Sequence, residues 1–250
     1  MEEISFYNRI GQRLVGTYYP KQTKKMIILV HGFVSDKSSD GRFEQIAECF
    51  AQDFAVLRFD ASGCGESGEG IVTVASRVRD LNAALSWALS HGYDQLALYG
   101  HSLGSRICLE AVIPQVKAMV LTGALTGPML YDWDTVLDVS ELEQLQREGY
   151  TSLRRESLRW RKEMFIEWQS LYDFAQIEQE QLLTPIQCPV LIIHGNGDEE
   201  ERALTHLSQS ALHFLPASAQ LHIIEGAKHH FYGFIQPIAQ QALAWYRRWM

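Results

Sequence analysis

Residues 96–111 read LALYGHSLGSRICLEA, with Ser102 set between Gly100 and Gly104, an apolar run before it and a helix-like run after it. Ser102 is either a nucleophile or an ordinary serine in a turn. Spacing alone does not separate the two, because a G-x-S-x-G match arises about 0.09 times by chance in a chain of this length. The surroundings carry more weight. A serine hydroxyl is inert at neutral pH unless a base is in reach. A sharp strand-to-helix turn holds its Oγ exposed while the next N–H and the helix N-terminus face a developing oxyanion. LALYG supplies the strand, and the two glycines permit the turn and close helix–strand packing. The N–H of Leu103 is one expected oxyanion donor. The other is Phe33, in ILVHGF at the end of an earlier apolar run.

Outward from this turn, buried-strand runs occur at MIILVHG, FAVLRFD, LALYGHS, AMVLTGA, VLIIHGN and LHIIEGA, after a hairpin-like N-terminal segment, ISFYNRIGQRLVGTYYP. Helical periodicity is clearest over residues 73–91, where Val74, Val78, Leu81, Leu85 and Ala88 share a face, and over 234–249, with Ile235, Ile238, Ala242, Trp245 and Trp249. Strands alternating with helices imply an α/β fold, a mostly parallel sheet with helices on both faces. Residues 126 to about 184 break the rhythm. They hold no convincing strand and read as charged amphipathic helices, so the expectation is one domain, 1–250, with this segment as a helical cap inserted between two strands.

If Ser102 is a nucleophile, its base and the acid that orients the base should come from the ends of later strands. LIIHGNGDEEE offers Asp198 and LHIIEGAKHHF offers His229, three residues after Gly226. Taken singly, an Asp after Gly is an ordinary turn residue and a strand-end His an ordinary surface residue. Together they complete the chain order nucleophile, acid, base in the correct loops of a correctly ordered sheet. His229 rather than His230 is the expected base, and Glu199, Glu200 and Glu201 are read as solvated charges that repel anionic substrates.

A competing motif, GCGESG at 63–68, satisfies G-x-G-x-x-G, but Asp60, Ala61 and Ser62 separate it from its strand and the helix begins only near Thr73. A dinucleotide site needs the helix to open inside the motif, so no cofactor is expected. The four cysteines and nine histidines show no ligand spacing, and no metal is expected. The chain has 22 Lys+Arg against 30 Asp+Glu, without a basic run longer than a pair, which gives no footprint for nucleic acid or an anionic membrane. Its longest aliphatic block is far too short to span a bilayer. The expected setting is soluble and cytoplasmic, with a small-molecule substrate. Nothing in the sequence sets the oligomeric state.

The signatures HGF (31–33), LRFDASGCGESGE (57–69), GHSLG (100–104), LIIHGNGD (191–198) and IEGAKHHF (224–231) resemble those of the α/β-hydrolase family over essentially the whole chain. Within it, they are similar to small intracellular carboxylesterases of the cinnamoyl and feruloyl esterase type, and to the serine aminopeptidase and monoacylglycerol lipase branch. The resemblance implies ester hydrolysis through an acyl-enzyme beneath a helical cap, without cofactor. Amide hydrolysis or acyl transfer by the same triad stays open, as does a non-catalytic ligand-binding protein of the same fold. Two departures stand out. Relatives commonly follow the acid with an aliphatic residue and Pro, where this chain has three glutamates, and Cys64 replaces a larger polar residue. Cys64, His31, Asp60 and Ser67 are read as structural. The cap carries Tyr131, Trp133, Tyr150, Trp160, Phe165, Trp168, Tyr172 and Phe174, most of them expected to anchor it. Trp160 and Trp168 are the rings expected against an aromatic or medium-chain acyl group.

Overall fold

The apolar runs pair into a single sheet in the computed structural model, which describes residues 1–111, 113–156 and 161–250. The N-terminal hairpin is β1 (Glu2–Tyr7) and β2 (Arg13–Tyr19). There follow β3 (Lys25–Val30), α1 (Arg42–Phe50), β4 (Ala55–Asp60), α2 (Val74–Ser90), β5 (Gln95–His101), α3 (Leu103–Glu110) and β6 (Val116–Thr122). After an intervening segment, the sheet resumes with β9 (Val190–Gly195), α7 (Glu199–Ala211), β10 (Gln220–Ile224) and α8 (Ile235–Trp249). Strand order is β1-β2-β4-β3-β5-β6-β9-β10. β2 pairs antiparallel with both β1 and β4, and the remaining neighbours are parallel.

The inner strands are apolar on both faces because both faces are covered. Along β3, Met26, Ile28 and Val30 face one layer, with Leu81, Leu85 and Ala88 of α2 and Ile107 of α3, while Ile27 and Leu29 face the other, with Phe43, Ile46 and Phe50 of α1 and Ile238 and Tyr246 of α8. Each fully buried aliphatic or aromatic side chain of this kind contributes about 1.5–3 kcal/mol. The predicted helix at 73–91 starts where Thr73 caps it, its side chain accepting the N–H of Ser76 in a capping box. β10 differs from the expected buried run. It is the sheet edge, with Ile223 44% exposed, because an apolar run reads the same whether a strand has one neighbour or two.

The segment between β6 and β9 is not purely helical. α4 (Val139–Glu148) leads into an antiparallel hairpin of β7 (Tyr150–Arg154) and β8 (Glu163–Glu167), followed by α5 (Trp168–Ala175) and α6 (Gln179–Leu183). The strands alternate, with Thr151, Leu153, Met164 and Ile166 buried, and five-residue alternation is easily lost inside a charged stretch that also satisfies helical spacing. The hairpin is tied to the body: Val72 N–H donates to the Phe165 carbonyl at 2.9 Å, and Arg161 reaches the Ser67 carbonyl at 2.6 Å and the Glu69 carboxylate at 2.7 Å. Among the described residues no helix is long and apolar enough to cross a membrane.

Candidate active site

Ser102 stands between β5 and α3 with φ 54° and ψ −124°, a positive-φ conformation that costs a non-glycine residue about 1–3 kcal/mol. Its surroundings hold it there. Its N–H donates to the Thr122 carbonyl at 2.9 Å, and its carbonyl accepts the N–H of Ser105 at 2.9 Å and the Ser105 hydroxyl at 2.6 Å. The flanking glycines serve close approach. A Cβ on Gly104 would lie 2.0 Å from the Val30 carbonyl oxygen, and one on Gly100 would lie 2.7 Å from the Gly104 oxygen. α3 can thus seat against β3 and β5 only without side chains at those two positions.

Ser102 opens onto a cavity of about 690 Å³ whose wall includes Phe33, His101, His229 and Glu200. Phe33 lies on the loop after β3, while Leu103 is buried as the first residue of α3. His31 braces the same loop: its Nε2 accepts the Ala61 N–H at 3.2 Å, and its Nδ1 lies 3.0 Å from the Gly32 carbonyl. Burial, then the Arg77 charge, lowers its pKa well below the usual histidine value and keeps the ring neutral.

His229, 8% exposed, places its Nδ1 2.6 Å from Glu201 Oε1. The structure corrects the expectation that Asp198 would orient this ring. Asp198 is the N-cap of α7; one carboxylate oxygen accepts the Glu201 N–H at 2.9 Å and the other accepts the backbone N–H of His229 at 2.8 Å, so neither meets the imidazole. Glu201 is fully buried one turn into α7, where the helix N-terminus favours a negative charge. Its second oxygen accepts the Gly195 N–H at 2.8 Å and lies 3.1 Å from His194 Nδ1; His194 Nε2 in turn meets Ser208 Oγ at 2.8 Å. Burial raises the carboxyl pKa, but hydrogen bonds from the two imidazoles overcome it and hold the group well below the usual carboxylate range.

The three glutamates expected to be solvated have different fates. Glu199 is exposed, Glu200 is half-buried on the cavity wall, and Glu201 is buried against His229. The signal was present in the residues: D-E-E-E after a strand matches a helix N-cap followed three residues later by Glu, which assigns Asp198 to the cap and frees Glu201 for another role. His194 and Ser208 carried no such signal. His230 is exposed, and among the described residues no carboxylate lies within hydrogen-bonding distance of its ring; its carbonyl accepts from Arg42 at 3.0 Å.

Gly123, at the end of β6 with φ 52°, gives this pair its space. A Cβ there would lie 2.8 Å from both His229 Cε1 and Glu201 Oε1. Gly123→Ala is expected to displace the ring, lower kcat by at least about 100-fold, the scale of an ångström misplacement, and lower stability through the strained φ. Steady-state kinetics beside a thermal melt check both.

Among the described residues, the rings of the segment between β6 and β9 that line the cavity are Tyr131, Trp133 and Phe174, packed edge-to-face or tilted at centroid distances of 5.2–5.4 Å, with Phe33 5.4 Å from Phe174. Trp168 does not join them. It is 37% exposed and stacks on Tyr172, because α5 turns Leu171 and Phe174 inward and leaves Trp168 and Tyr172 together on its outer face. Trp160 lies outside the described residues.

The GCGESG loop is held as structure. Asp60 accepts the backbone N–H groups of Lys37 at 2.6 Å and Glu66 at 3.0 Å, and pairs with Lys37 Nζ at 3.0 Å. The Ser67 hydroxyl donates to the Asp60 carbonyl at 2.6 Å, and Cys64 packs against the β7–β8 hairpin with its thiol pushed up to about 11 by burial.

Three comparisons bear on this arrangement. The family described as alpha/beta hydrolase fold matches residues 25–148. Similar solved structures include the α/β hydrolase GrgF from Penicillium sp. sh18, with 17% identity over 100% of this chain and 98% of that one and a TM-score of 0.79. Also similar are a thermophilic esterase from Thermogutta terrifontis (18%, 99% and 99%, TM-score 0.72) and Est1E from Butyrivibrio proteoclasticus, solved with ferulic acid bound (18%, 98% and 98%, TM-score 0.74). No curated protein matches by sequence.

Proposed function

From the premise that this chain has the α/β-hydrolase fold, we propose that it is a serine hydrolase of carboxylic esters, working through an acyl-enzyme on a Ser102–His229–Glu201 triad. The observation that carries the reading is the His229 ring, fixed by Glu201 on Nδ1 at the wall of the cavity onto which the strained Ser102 opens.

Ser102 Oγ attacks the ester carbonyl as its proton passes to His229 Nε2, and Glu201 stabilises the imidazolium that forms. The N–H groups of Phe33 and Leu103 receive the tetrahedral oxyanion. Collapse expels the alcohol, which takes the proton from Nε2, and water then repeats the sequence on the acyl-serine to release the acid. Tyr131, Trp133, Phe174 and Phe33 suit an aromatic or medium-chain acyl group. We read the chain as one catalytic domain with residues 126–184 as its cap. The four unpaired cysteines fit a reducing, cytoplasmic setting.

A panel of aryl, alkyl and hydroxycinnamoyl esters tests the activity. Turnover with a burst of alcohol release is the expected result, and no turnover of any ester would overturn the proposal. The panel's pH profile is a second expectation. Burial disfavours the His229 imidazolium, but the Glu201 hydrogen bond and the charges of Glu200, Glu201 and Asp198 outweigh it, so the ring pKa is raised. His101, His230 and Arg42 also lie beside this ring; burial lowers the pKa of each, and repulsion from Arg42 and from the neighbouring imidazoles lowers the two histidines further. The base must be neutral to accept a proton, so the acid limb of kcat/KM should lie above the ordinary histidine value of about 6.5. A limb below that value would contradict the Glu201 pairing.

A further inference from the structure

Glu200 points at the reacting nitrogen from the side opposite Glu201. Its Oε1 lies 3.7 Å from His229 Nε2 and accepts the Tyr131 hydroxyl at 2.6 Å. In the proposed mechanism His229 is neutral when substrate binds, and the Glu200 carboxylate then faces the cavity with a phenol as its hydrogen-bond donor and no cation within 4 Å among the described residues. The other charges on the wall are engaged elsewhere. Asp36 accepts the N–H groups of Ser38 and Ser39, Asp40 accepts the Tyr232 hydroxyl and lies in the field of the Arg42 guanidinium, and Glu44 pairs with Arg58. The Arg42 guanidinium is spread over the Ser39 carbonyl, the Ser39 hydroxyl, His101 Nε2 and the His230 carbonyl.

A carboxylate alone would only repel anions, but this one comes with rings. Tyr131, which holds Glu200, packs 5.3 Å from Trp133 and 5.2 Å from Phe174, and all three line the cavity. Aromatic faces beside a carboxylate in a half-closed cavity are the chemistry that recognises an ammonium group, which rings attract through their quadrupole and a carboxylate through its charge.

We propose that Glu200 is a specificity-determining residue that selects substrates bearing an amine cation or quaternary ammonium group close to the scissile carbonyl, with the rings of Tyr131, Trp133 and Phe174 beside it. The inference rests on the hydrolase reading for the position of the carbonyl, but its binding component can be measured without turnover.

Two measurements test it. In calorimetry, phenyltrimethylammonium is expected to bind the wild-type protein at least about tenfold more tightly than benzoate, and Glu200→Gln to reduce that ratio by about tenfold, the scale of a single near charge in a partly solvated site. In kinetics, phenyl butyrates carrying a meta trimethylammonio or carboxylate group should show the same order in kcat/KM, and the cation-to-anion ratio should fall by about tenfold in Glu200→Gln and remain largely in Glu200→Asp. Equal binding of the two probes by the wild type, or ratios changed less than twofold by Glu200→Gln, would overturn the inference. Cation selection through Glu200 without hydrolysis of any ester would remove the hydrolase reading and leave this one standing, whereas hydrolysis indifferent to charge would do the reverse.

Discussion

Ser102→Ala is expected to lower kcat for a hydrolysed ester by about 10⁴ to 10⁶-fold, the range seen when a triad nucleophile is lost, with the melting temperature nearly unchanged. Both halves follow from the elbow. Ala lacks the Oγ that would form the acyl bond, yet it keeps the Cβ, so the conformation at φ 54° is equally strained in the two proteins. Ser102→Gly separates chemistry from strain. It is expected to be as inactive as the alanine variant but more stable by about 1 kcal/mol or more, since glycine adopts positive φ without the Cβ penalty. Equal melting temperatures for the alanine and glycine variants would show that the elbow stores no strain. An alanine variant retaining a tenth of wild-type kcat would remove Ser102 from the chemistry.

The second large effect distinguishes two carboxylates three residues apart. Glu201→Gln is expected to lower kcat by about 10³ to 10⁴-fold, the scale for replacing a triad acid by its amide. If the new NH₂ faces His229 Nδ1 it donates to that nitrogen, so Nε2 carries the ring proton and cannot accept one from Ser102. If it faces the other way it meets the Gly195 N–H, now 2.8 Å from an acceptor oxygen, and leaves two buried donors opposed. Asp198→Asn is expected to cost less than about tenfold. Asn caps a helix as well as Asp does, and what is lost is one acceptor for the backbone N–H of His229. Activity measured on both variants with one ester checks the ranking, and the opposite ranking would return the acid to Asp198.

The sheet was legible because its strands are two-sided. Runs such as Met26–Val30 and Val190–Ile193 are apolar without alternation, and only a strand with layers on both faces demands that. The placement of Ser102 and His229 on one cavity was legible because turn chemistry marks both: glycines two residues either side of the serine, and Gly226 two residues beyond the end of β10 before the histidine. Glu201 was hidden by its neighbours. In a run of one aspartate and three glutamates, composition suggests solvent, and only the helix phase, set by Asp198 as cap, decides which carboxylate turns inward. The β7–β8 hairpin was hidden for a related reason: its buried positions are Thr151, Leu153, Met164 and Ile166, too few to outweigh a charged stretch that also satisfies helical spacing. Trp168 was misplaced because aromatic content says that a segment carries rings without saying which face of α5 points at the cavity.

The most direct measurement of the central claim is the site and rate of covalent labelling by a fluorophosphonate, followed by mass spectrometry of the peptides. A reactive serine displaces fluoride and keeps the phosphonyl group, so the adduct marks the nucleophile whatever the natural substrate. A single adduct on Ser102 is expected, abolished in Ser102→Ala and slowed by about 10³-fold or more in Glu201→Gln, with Asp198→Asn labelled at close to the wild-type rate. An adduct on Ser35, Ser67 or another serine, or labelling of Ser102 that is indifferent to Glu201, would contradict it.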